Sequence, residues 1–190
     1  MKKLNFKFLV VSSLLTILLN WVYAVFTITL LGFGVAALIE KIFSYRIKSG
    51  DSILMAGMIT ATVYAQSFSL FYKVGMLANI ILVVVCALIF LFCWKYINST
   101  VKAWIKDTSA VQKVILLLLV LAWSYFTSRG YIHYDSDLYH AQSIRWMEEY
   151  GIVPGLGNLH ERFAYNSSFF ALSALFSMKF LLGTSMHAMN

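Results

Sequence analysis

Two aspartates one residue apart, Asp135 and Asp137, are the residues in this chain best placed to do chemistry. Such a pair can hold a hard divalent cation, Mg or Mn, through its carboxylate oxygens. One member can instead act as a general base. His140 lies three residues after Asp137, on the same face of any helix that begins there, and is a candidate third ligand or proton partner. The same aspartates also suit a helix start, where capping and dipole compensation account for them at about 0.5–2 kcal/mol without a ligand. Both readings are open on sequence. Further on, His160 and Arg162 flank Glu161 and could bind an anionic phosphate, or form surface pairs. Glu148 and Glu149 read as a solvated face, paired by spacing with Arg145.

These residues are concentrated between Tyr131 and Phe170. That stretch holds five of the eight acidic residues, three of the four histidines and the one proline, Pro154. Asp135-Ser136-Asp137 precede an amphipathic helix expected over about Asp137 to Tyr150, with Gly151 as its C-terminal glycine. Trp146 and Tyr150 fit a helix lying at a membrane surface. Asn166-Ser167-Ser168 can cap the helix that follows. This triplet and Asn98-Ser99-Thr100 also match the glycosylation acceptor pattern, which is common by chance.

The elements that must position this stretch belong to a lipid-embedded scaffold. Of 190 residues, 61% are hydrophobic and only 12% charged, with a mean hydropathy of +0.77. Soluble domains carry about 25% charged residues, so a water-soluble fold is excluded on composition. The net charge of +7 sits mostly in short connections. It reads as topology signal and headgroup contact rather than nucleic-acid binding. Cys86 and Cys93, seven apart on one helix, cannot bridge each other.

The pattern predicts an all-α polytopic bundle of about five spans with an amphipathic extracytoplasmic surface helix. Residues 1–128 carry the first membrane helices, 129–166 the loop, and 167–190 the start of a further span. The run from Phe8 to Ile39 is either one long tilted helix, two poorly separated segments, or a signal sequence whose apolar stretch runs on past its cleavage site. A single crossing is favoured, because about 48 Å of helix is too short to cross twice. Gly32 and Gly34 permit close helix packing. Spans follow at Ser52–Tyr72, where Thr60, Thr62, Gln66, Ser67 and Ser69 should face other helices, and at Met76–Trp94. Asp51 or Ser52 is the expected cap of the first of these. Val101 to Ile105 is expected on the membrane surface, with Trp104 dipping in, before a span from Val114 to about Arg129. Lys179, inside the last apolar run, must snorkel or face a cavity. The basic connections 40–50 and 95–113 should be cytoplasmic, which puts 130–166 outside.

The block Tyr134-Asp135-Ser136-Asp137-Leu138-Tyr139-His140, followed by RWMEEYGIVPGLGNLHERFAYNSSFF, resembles the large polytopic GT-C glycosyltransferases, which use lipid-phosphate-linked sugars. More closely, it is similar to a group of uncharacterised bacterial membrane proteins with the same block. The resemblance implies sugar transfer from a polyprenyl-phosphate donor in cell-surface glycan synthesis. It gives Asp135 and Asp137 the role of base or metal ligands, and puts His160, Arg162 and Tyr139 at the substrate. It covers about forty residues. In those enzymes the loop follows the first span, whereas here it follows the fourth, and they have many more spans. The chain therefore reads as an N-terminal portion of a longer protein. A non-catalytic component of polysaccharide export, or an inactive fragment, is the alternative.

Overall fold

The computed structural model describes residues 2–129 and 134–189; the side chains of residues 2–13 and of Asp137 lie outside the description. Among the described residues the architecture is all-helical. Helix α1 (Lys2–Phe43) is followed by α2 (Gly50–Ser69), α3 (Met76–Asp107) and α4 (Ala110–Ser128). A π turn (Ser136–His140) leads into α5 (Ala141–Glu149). Two 3₁₀ turns (Leu156–Asn158 and Glu161–Tyr165) precede α6 (Ser168–Leu175) and α7 (Lys179–Leu182). Three helices, Leu14–Phe43 within α1, α3 and α4, are long and apolar enough to cross a membrane.

The run from Phe8 to Ile39 lies in one unbroken helix, as expected for a single crossing. Helix α2 runs antiparallel to it in near backbone contact. A Cβ on Gly32 would stand 2.0 Å from the Ile53 carbonyl oxygen, and one on Gly57 would stand 1.9 Å from that of Ile28. The buried stripe of α2 is Ile53, Gly57, Ala61, Ala65 and Ser69, every fourth residue. Small residues at that spacing let two backbones meet. Of the polar residues of α2 expected to face other helices, Ser69 does, on this stripe, and Gln66 has its Oε1 buried, while three do not. Thr60 and Thr62 turn their hydroxyls back to the carbonyls of Ala56 and Met58, and Ser67 is exposed. The cap of α2 is Ser49 rather than Asp51 or Ser52.

Helix α3 runs parallel to α1. Tyr23 donates to Asn79 Oδ1 at 2.8 Å near one end, and Phe33 stacks on Trp104 at 5.7 Å near the other. Residues 101–105, expected as a separate surface element, instead continue α3. Trp104 is held there by Phe33 and by donating to the Lys48 carbonyl, so it packs on protein rather than dipping alone into lipid. Ser109 and Gln112 form a reciprocal capping box that starts α4. The apolar side chains from Val114 to Leu121 are exposed, as a lipid-facing helix requires.

The basic connection after α1 gathers at the α3 C-terminal end, where Arg46 meets Ser99 and Tyr96 donates to the Ile47 carbonyl. Residues 134–189 gather at the opposite end, where Val74 donates to Met147 O (2.8 Å) and Ile152 to Ser69 O (2.8 Å). Helix α6 is buried there against α2 and α5. It ends at Leu175, and Met178 with φ 53° turns the chain before α7. The carbonyls this leaves open are met from the spans. Asn20 Nδ2 donates to Phe176 O at 2.7 Å, and Asn79 Nδ2 to Leu175 O at 3.1 Å.

Candidate functional site

The helix from Ser136 to Glu149 opens with a π turn, in which the Ala141 N–H reaches back to Ser136 O. Such wide turns rotate side chains out of α-helical register and occur often at functional positions. Asp135, just before it, has helical backbone angles and makes no side-chain cap. Its carboxylate goes across to the loop instead, where Arg162 Nη1 donates to Oδ1 at 2.8 Å. The two side chains are 30% and 33% exposed, so the pair sits at the surface. The Arg162 guanidinium lies 5.4 Å over the Tyr139 ring, which restricts its swing. Tyr139 in turn meets Tyr165 edge-on at 5.8 Å.

His160 supports the same arginine from the backbone side. Its Nδ1 accepts from the Arg162 N–H at 3.2 Å, which starts the 3₁₀ turn. With Nδ1 so used, neutral His160 carries its proton on Nε2. The His140 ring lies 4.3 Å from Tyr139 and 5.2 Å from Phe170. The structure thus brings together Asp135, Arg162, Tyr139 and His160, with His140 on the aromatic side. Asp137 lies in the π turn, and its side chain is outside the described residues. Among the described residues no three His, Cys, Asp or Glu side chains converge as a metal site would require. A cation at Asp135 would also face the guanidinium already bound there.

A cavity of about 360 Å³ lies beside this cluster, beneath Gly155, Gly157 and Asn158, with Phe170 on its wall. Gly155 and Gly151 take φ of 86° and 82°, which glycine alone adopts at little cost. At Gly151 the C-terminal glycine expected for α5 is present, and a Cβ there would also strike Ser69 O at 2.6 Å.

A second polar cluster was not read from the sequence. Glu148, expected on a solvated face, has a side chain only 2% exposed. It lies on the buried stripe of α5 with Ile144 and Met147, at spacings of four and one. Lys179 makes that burial tolerable. Its ammonium is 3.5 Å from Glu148 Oε2 and 2.6 Å from Glu149 Oε1. Ser185 donates to Glu148 Oε2 at 2.6 Å, and Arg145 holds Glu149 at 3.2 Å. Hydrogen bonds from Lys179 first and Arg145 second hold the Glu149 carboxyl below the ordinary carboxylate range. The signal available in the sequence was Lys179 itself, a cation in an apolar run.

The family described as a domain of unknown function, DUF8201, matches residues 14–190. The chain belongs to DUF8201. The DUF8201 match takes in α2 to α7, most of α1, and both polar clusters, so the candidate site lies inside the family's own domain. No curated protein and no solved structure matches the chain.

Proposed function

We propose that this DUF8201 chain is membrane-embedded and glycosyltransferase-like, moving a sugar from a polyprenyl-phosphate donor to an acceptor hydroxyl outside the cytoplasm. The observation that carries this reading is the Asp135–Arg162 pair at the end of the bundle away from the basic connections. Arg162 is held by Asp135 and Tyr139, which orient a planar donor fork of the kind that binds phosphate oxygens. Asp137 takes the proton of the acceptor hydroxyl as its oxygen bonds to the anomeric carbon. The bond from that carbon to the phosphate oxygen breaks, and the electron pair leaves with the lipid phosphate. Placing this end outside rests on Lys41, Arg46, Lys48, Lys95, Lys102, Lys106 and Lys113 at the other end.

The test is transfer from labelled polyprenyl-phosphate sugars in membranes that contain the chain. Asp137→Asn lowers transfer by about 10²–10⁴-fold, the usual loss for a general base. Arg162→Lys weakens donor use while leaving the fold intact. Unchanged transfer with Asp137→Asn removes the base assignment, and no transfer by the unaltered chain removes the reaction. A cysteine at Leu159, probed with a membrane-impermeant maleimide, reads the side directly. Labelling only in opened vesicles would reverse the orientation, to which Lys2, Lys3 and Lys7 also bear by chain position.

A further inference from the structure

The Glu148–Lys179 cluster lines a cavity of about 600 Å³ closed by Lys73, Gly75 and Tyr150. Glu148 Oε2 is occupied by Ser185 and Lys179, but Glu148 Oε1 is buried without a hydrogen-bond partner among the described residues. A carboxylate oxygen removed from water without a donor is costly unless a ligand supplies one. Glu149 is already engaged by Lys179 and Arg145. The cavity wall includes Glu148, whose buried Oε1 still lacks a donor, and one exposed ammonium, Lys73, at 6.0 Å from the Tyr72 ring.

A second cavity, about 630 Å³ and almost wholly apolar, adjoins the first through Met76 and Phe180, which line both. It follows α3 from Met76 to Val84, about 12 Å along the helix axis. A polar chamber at the bundle end thus continues into an apolar groove that runs toward the middle of the span. That is the shape and direction of a membrane lipid.

We infer that these joined cavities bind a phospholipid with a primary-ammonium headgroup, its ammonium on Glu148 Oε1, its phosphate near Lys73, and one tail in the α1–α3 groove. Charge complementarity selects this occupant. Lys179 and Arg145 already offset Glu149, and an anionic headgroup brings the same phosphate but no cation to the incompletely paired Glu148. A quaternary ammonium has no N–H to give to Oε1. The inference stands apart from the sugar-transfer reading, uses none of its residues, and survives if that reading fails.

The experiment is native mass spectrometry of the full chain, stripped of lipid in detergent. The chain is titrated with phosphatidylethanolamine, phosphatidylcholine and phosphatidylglycerol of identical acyl chains. Phosphatidylethanolamine is retained about tenfold more than either of the others, a difference of about 1.4 kcal/mol. Glu148→Gln brings the three within about twofold of one another, and Val83→Trp, which fills the groove, lowers retention of all three. Lys73→Gln, at an exposed turn, lowers retention of all three, because each carries the phosphate, and leaves their order unchanged. If Glu148→Gln does not fold, the parent chain decides: retention must fall from phosphatidylethanolamine to its fully N-methylated counterpart phosphatidylcholine. Equal retention of phosphatidylethanolamine and phosphatidylcholine, preference for phosphatidylglycerol, or a preference that survives Glu148→Gln overturns the assignment.

Discussion

Replacing Gly57 by alanine probes one of the closest approaches in the bundle. A Cβ at that position would stand 1.9 Å from Ile28 O and 3.0 Å from Gly32 N, both backbone atoms that no rotamer change can move. A carbon and a carbonyl oxygen come to rest no nearer than about 3.3 Å. The α1 and α2 backbones must therefore part by about 1.4 Å at the crossing. A gap of even 0.5–1 Å already forfeits a quarter to a half of each contact's attraction. Overpacking of this kind costs about 1–3 kcal/mol, and a clash against backbone belongs at the upper end. Alanine returns about 1 kcal/mol of helix propensity. The net loss is then about 2 kcal/mol, near a thirtyfold change in the folded-to-unfolded ratio. Titration of the chain with SDS in mixed micelles, followed by far-ultraviolet circular dichroism, measures it. Gly75→Ala is the control, since nothing lies within 4 Å of its Cβ, and it should fall within about 0.5 kcal/mol of the parent. Gly34→Ala should be intermediate, because its Cβ meets only the flexible end of Ile89 at 2.8 Å. A Gly57→Ala protein as stable as the parent would refute the backbone contact between α1 and α2.

Two further outcomes follow from the α5 cluster. Lys179→Met leaves the Glu148 carboxylate buried with Ser185 alone and destabilises the chain by about 2 kcal/mol, the loss for a broken buried pair reduced for the partial exposure of Lys179. Adding Glu148→Gln to it recovers at least half, and the same SDS titration reads both; no loss in the single variant would mean that the pair carries no structural role. Because the Glu149 carboxyl is held below its ordinary value of 4.5, its contribution is fully present above that value and is lost as pH falls through the lowered one. The melting-temperature gap between the parent and Glu149→Gln should therefore close between pH 7 and pH 3, and a gap that stays constant would contradict the pairing.

The helical scaffold was legible because lipid leaves a chain few choices. Long apolar runs with basic connections predict helices, and α1, α3 and α4 follow the runs. Gly32 and Gly34 were read as contact points from their small size alone, and both lie against neighbours. Gly57 was not, because the partner stripe of α2 shows as Ala and Gly at four-residue spacing rather than as a glycine pair. Arg162 and His160 were read as neighbours in chain, but that Asp135 reaches Arg162, 27 residues on, is a tertiary contact that no residue pattern announces. Glu148 was misread for a specific reason. Two adjacent glutamates look like one solvated face, yet successive helical residues point about 100° apart, so one can be buried while the other is not. Lys179, 30 residues on, decides which.

The amides of Asn20 and Asn79, which hold the last carbonyls of α6, set an order of assembly. Neither amide has its α6 partner until the chain has been made through Phe176, 156 residues after Asn20. Asn79 already has partners within the first three helices, accepting from Tyr23 and donating to the Gly75 carbonyl, whereas Asn20 Nδ2 donates only to Phe176 O and Met186 Sδ among the described residues. Residues 168–189 therefore complete a polar seat that α1 alone leaves open, at the same end of the bundle where the charged clusters come to rest.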